Sequence, residues 1–138
     1  MFFFSNSGPV ELSNDLKAFL LLGRISFGEL EGFLSKCRKL RPDMTVGTLH
    51  TFIFVARRAG AGEREHLTLA EVASGLSISY PTAARHCDIL STGIKGREGL
   101  GWIHKDADKR TRQKYLYLSP SGVSVLEEFA RNSTAQES

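Results

Sequence analysis

The sequence predicts a mainly α-helical fold carrying one small antiparallel β-hairpin, and three observations support that reading. Apolar residues recur at helical spacing over 12–40, 45–59 and 120–130. Two helix-start signals, Thr68 with Glu71 and Ser79 with Pro81, stand so close together that only a short helix and a turn fit between them. The alternating stretch "YLYL" at 115–118 directly follows the charged run "KDADKRTRQK" at 105–114, the pattern of a strand leaving a hairpin tip.

Composition sets the scale. A chain of 138 residues, 41% hydrophobic and 24% charged, suits one domain able to bury a core. The apolar cluster "LKAFLLLGRISF" is broken by Lys17, Gly23 and Arg24, well short of the roughly 20 apolar residues of a membrane span. "MFFFSNSGPV" has no basic segment before its short apolar stretch, so no export signal is read there and the expected location is cytoplasmic. Cys37 and Cys87 fit no metal-ligand spacing and are expected as buried thiols. The net charge is +3, but between Arg85 and Lys114 eight Lys/Arg face four acids, a local excess of +4. By itself such a run is a solvated face.

The elements follow in order. Residues 12–40 read as helix broken at Gly23, with Leu12, Leu16, Phe19 and Leu20 on one face and Leu30, Phe33, Leu34 and Cys37 on another. Ser26 and Glu29 form a capping box for the second part. In 45–59, Val46, Leu49, Phe52, Ile53 and Ala56 make one face, and Gly60 offers a left-handed stop. After a polar connection, the Thr68–Glu71 box opens a helix over about 69–76. Ser79 then caps a further helix with Pro81 in its first turn. Val72, Ala73, Leu76, Ile78, Ala83 and Cys87 let these two helices pack closely, a helix-turn-helix pattern. Ala83, Cys87 and Leu90 face inward, leaving Tyr80, Pro81, Ala84, Arg85 and Asp88 outward. Residues 101–104 and 115–118 pair as strands, with Leu116 and Leu118 on one face and the tyrosines on the other. Ser119 and Pro120 open a last helix striped by Val123, Leu126, Phe129 and Ala130.

"LAEVASGLSISYPTAAR" resembles the helix-turn-helix of bacterial repressors, and "SYPTAAR" is close to the S-Y-x-T-V-S-R start of the recognition helix in the lac repressor family. "GLGWIHKDADKRTRQKYLYLSPSGVSVLEEF" resembles the G-L-V-x-R, charged hairpin, L-x-L-T-P-x-G and amphipathic helix of the MarR family. The likeness covers about 44–130. It implies a winged helix-turn-helix in which 105–114 is the wing. Two departures stand out. "STGIKGREGL" at 91–100 is longer than the usual tight connection, and either adds a phosphate contact or is slack. The family's D-x-R wing motif fits two registers: Asp108-Lys109-Arg110 matches it by letter, whereas counting back from Leu118 places Arg110 and Arg112 there, and both arginines are expected at the wing tip.

The resemblance implies a sequence-specific double-stranded DNA-binding transcriptional regulator, a repressor. Tyr80, Pro81 and Arg85 are expected at base edges, and Ser79, Thr82, Lys95, Lys109, Arg110, Arg112 and Lys114 at phosphates or the minor groove. Residues 1–43 are expected as a dimerisation segment, 44–131 as the DNA-binding domain and 132–138 as a disordered tail. Leu16, Phe19, Leu20, Phe33 and Leu34 exceed what one winged helix can cover, which predicts a homodimer. The family also implies a small-molecule effector or thiol oxidation, and no basic partner is spaced to activate either cysteine. The alternative is a phage- or plasmid-type winged helix acting in replication or protein–protein contact. An enzyme is not expected: His50, His66, His86 and His104 are scattered, without a nucleophile, a carboxylate pair or a phosphate-cradling loop, and no catalytic residue, metal or cofactor is implied.

Overall fold

A computed structural model describes residues 10–61, 67–94, 96–107 and 110–137, with side chains through 131. The N-terminal segment forms two helices, α1 (Asn14–Leu22) and α2 (Phe27–Leu40), separated at Gly23. Ser13 caps α1, and the Ser26–Glu29 box caps α2, satisfying backbone N–H groups that a helix start leaves open. Helix α3 (Val46–Val55) continues as a π-helical turn over Ala56–Gly60. Gly60 is therefore no left-handed stop. A Cβ there would meet the Leu118 and Leu12 side chains, so its role is close approach.

Strand β1 (Leu67–Thr68) leads into α4 (Leu69–Leu76), and Ser77, in the left-handed conformation, turns the chain into α5 (Tyr80–Leu90). A hairpin of β2 (Gly93–Ile94) and β3 (Arg97–Glu98) follows, then β4 (Ile103–Ala107), β5 (Lys114–Leu118) and α6 (Pro120–Glu137). β4 and β5 are antiparallel, with Ile103 opposite Leu118 and Ala107 opposite Lys114, so the hairpin starts later and reaches further than residues 101–104 suggested. β1 adds to the other edge of β5, giving the order β1-β5-β4.

One hydrophobic cluster joins Leu12, Leu16, Phe33 and Cys37 of the N-terminal helices to Phe52, Val72, Ala83, Leu90, Ile103, Leu116 and Leu126. Tyr117 is buried, which corrects the expected division of β5 between a leucine face and a tyrosine face. It lies beside His104, with ring centroids 5.4 Å apart. α6 runs on to Glu137, into the segment expected as a tail, and no glycine or proline after Gly122 interrupts it. Gly122 is needed there because a Cβ would strike the Trp102 carbonyl. No helix among the described residues is long and apolar enough to cross a membrane.

Candidate nucleic-acid interface

Helix α5 is fixed by one face and shows the other. Ala83, Cys87 and Leu90 are fully buried, whereas Tyr80, Pro81, Thr82 and Arg85 are exposed. The cause is the spacing of small and apolar residues against α3 and α4. Ser79 caps the helix: its Oγ accepts from the Thr82 N–H at 3.2 Å and donates to the Thr82 hydroxyl at 2.8 Å. The structure thus gathers Ser79, Tyr80, Pro81, Thr82 and Arg85 on one exposed surface at the N-terminal half of α5.

Two polar contacts, neither legible from one sequence, orient this helix. Thr48 of α3, itself buried, hydrogen-bonds His86 Nδ1 at 2.9 Å, and Gly47 leaves room for the ring. Burial, and then the Arg85 guanidinium, hold the His86 imidazole below its ordinary range. Asp88, expected on the outer face, instead pairs with Lys105 of β4. That pair ties the β-hairpin to α5.

At the far end of the hairpin, Arg110, Arg112 and Lys114 are exposed. Arg112 has φ 60, a left-handed conformation that a side chain adopts at some strain. Lys95 and Lys109, both expected at phosphates, lie outside the described residues. The 91–100 connection is not slack: β2 and β3 pair within it, and Arg97 forms an ion pair with Asp43.

The residues expected at a dimer interface differ in their exposure within the single chain. Leu16 (3% exposed) and Phe33 (7%) belong to the chain's own core, and α6 covers Phe33, which stacks on Phe129 with centroids 4.5 Å apart. Phe19 meets Phe129 edge-on at 5.7 Å and, like Leu20, is half-buried, while Leu34 is exposed. Leu22 (81% exposed) and Phe27 (91%), flanked by Leu21 and Ile25, stand bare at the α1–α2 junction, and Val46, expected on the apolar face of α3, is bare as well. The long apolar segment hid which of its residues α6 would claim.

Beside this junction a cavity of about 370 Å³ is lined by Phe19, Leu30, Ile53, Leu126 and Phe129, with Arg57 among its walls. The Arg57 Nε donates to the Leu20 carbonyl at 3.0 Å. Both thiols are buried, and desolvation raises Cys37 to about 11 and Cys87 to about 12, leaving no thiolate at neutral pH. Among the described residues no group of three or more His, Cys, Asp or Glu is placed to hold a metal ion.

A helix-turn-helix followed by a two-stranded hairpin that is tied to the second helix defines a winged-helix fold. The solved structures similar to this chain include MepR of Staphylococcus aureus, a transcription regulator of the multidrug efflux pump MepA. The MepR–DNA complex matches with a TM-score of 0.58 and 22% identity, covering 80% of each chain. MepR alone matches at 0.50 and 22%, covering 82% of this chain and 80% of that one. MepR bound to ethidium bromide matches at 0.50 and 20%, with the same coverage. At these identities the likeness shows the winged-helix fold. No protein-family model and no curated protein matches the sequence.

Proposed function

We propose that this chain is a sequence-specific double-stranded DNA-binding transcriptional regulator, a repressor, that works in the cytoplasm as a homodimer. One observation carries the reading: α5 is anchored through a fully buried face while Tyr80, Pro81 and Arg85 stand exposed, beside a basic hairpin held to the same helix by Lys105 and Asp88. An α-helix with such a face fits the major groove, and the hairpin reaches the flanking phosphates or minor groove. Arg85 supplies a planar fork suited to the O6 and N7 of guanine, and Tyr80 and Pro81 apolar contact with base edges. Ser79, Thr82, Arg110, Arg112 and Lys114, with Lys95 and Lys109, fix register through the backbone. That a chain of similar fold has been captured on DNA supports the reading.

Bare Leu22 and Phe27 at the α1–α2 junction support self-association, and a two-fold dimer would read two half-sites about one helical turn apart. The neighbouring cavity, walled mainly by apolar side chains, suits a small aromatic effector, and a chain of similar fold, MepR, has been solved with ethidium bromide bound. Selection on random duplexes, followed by binding of the selected site to Arg85→Ala, tests the assignment. The expected loss is roughly 1–3 kcal/mol with relaxed preference at one base pair per half-site. Equal loss on every sequence moves Arg85 to the phosphates. Failure to select any preferred site turns the reading toward replication or protein contact.

A further inference from the structure

The connection after α5 is bonded back onto the end of that helix. The carbonyls of Ile89, Leu90, Ser91 and Thr92 accept from the N–H groups of Leu100 (2.9 Å), Trp102 (2.8 Å), Gly101 (3.0 Å) and Gly99 (3.1 Å). Carbonyls that a helix end leaves open are thus taken up by the chain returning from the β2–β3 hairpin. At its other side the hairpin meets the turn between α2 and α3. Arg41, 8% exposed, donates from Nη1 to the Glu98 carbonyl at 2.6 Å and from Nε to Asp43 at 3.2 Å. Arg97 pairs with the same carboxylate, Nη2 lying 3.3 Å from Oδ1. The end of α2 is therefore connected, through Arg41, Asp43, Arg97 and Glu98, to the end of the helix read here as the one that enters DNA.

We propose that Arg41 and the Asp43–Arg97 pair are positioning residues for α5: they set the angle at which α5 presents its outer face by fixing its C-terminal end to α2. The proposal rests on the DNA-binding reading. α2 also supplies Leu30 and Phe33 to the 370 Å³ cavity, so a displacement of α2 would reach α5 through this strut. The buried Arg41 gives the strut its direction, since a guanidinium held by two acceptors in fixed geometry resists rotation. The competing reading is that Arg97, on an exposed hairpin, touches a DNA phosphate.

A charge-reversal cycle separates the two. Arg97→Asp and Asp43→Arg, each made singly, should weaken binding to the selected duplex roughly tenfold, and the double variant should recover the part of the loss that belongs to the 43–97 pair, since Arg41 keeps the Glu98 carbonyl but no longer has the Asp43 carboxylate. The dependence on salt should keep its wild-type slope throughout. A phosphate contact gives the opposite pattern: no recovery in the double variant, and a slope reduced by about 0.9 for each phosphate lost. Amide hydrogen exchange on the same proteins reads the strut without DNA. Exchange at Leu100, Gly101 and Trp102 should quicken in each single variant and slow again in the double. Unchanged exchange overturns the proposal. If the wild-type protein selects no duplex, the DNA reading falls while exchange still decides the strut, and Arg41→Lys, which keeps the charge but not the fork, should quicken the same three amides.

Discussion

Replacing Arg110, Arg112 and Lys114 together with alanine removes three exposed cations from the end of the hairpin. If each meets a phosphate in a two-fold dimer, six contacts disappear. Each releases condensed counterions worth about 0.9 in the slope of log K against log salt, so the slope should flatten by about 5. Between 50 and 200 mM salt that slope corresponds to a roughly 10³-fold loss of affinity, which the wild type should show and the variant should lack. Fluorescence anisotropy on the selected duplex at four or five salt concentrations measures it directly. The base preference should survive, because the α5 surface is untouched. Arg112 permits a finer division, since its φ of 60 is natural to glycine. Arg112→Gly should leave the fold as stable or more so, by up to about 1 kcal/mol, while weakening binding as much as Arg112→Ala. Weakening confined to duplexes with A·T flanks would place Arg112 in a narrow minor groove. Parallel salt lines for wild type and triple variant, at equal affinity, would leave the hairpin as solvated charge and defeat the reasoning.

Leu22→Glu with Phe27→Glu should convert a dimer to monomers without loss of helicity, since both side chains are bare in the single chain; sedimentation and circular dichroism together check this. An unchanged dimer would move the interface elsewhere. His86 is held below its ordinary value near 6.5, so as pH falls the unfolded chain takes up this proton first. Its contribution to stability is full above that value and is lost as pH falls through it toward the lower folded value, and His86→Gln should remove that step from urea-unfolding data. Gly122→Ala places a methyl on the Trp102 carbonyl and should cost about 1–3 kcal/mol; an unshifted thermal midpoint would contradict the packing of α6 on the sheet.

Much of this architecture is local, and the sequence by itself determines it. The Ser26–Glu29 and Thr68–Glu71 boxes, the Ser79 cap and the start of α6 at Pro120 involve side chains and backbone no more than three residues apart, so the order of residues specifies them directly. The inward face of α5 follows equally from helical spacing, and with it the exposure of Tyr80, Pro81 and Arg85. What the tertiary structure alone decides is which surface covers which. Leu16 and Phe33 have the composition of an interface, but the chain's own core buries them, Phe33 beneath Phe129 from the other end of the chain, while Leu22 and Phe27 stay bare. Asp88 sits on the outer side of α5 by periodicity, yet Lys105 reaches it from the hairpin. The 91–100 loop could be read as slack because its partners, Arg41 and Asp43, lie 57 and 54 residues away along the chain. Contacts of that separation depend on the three-dimensional path of everything between them, and local propensity holds no record of it.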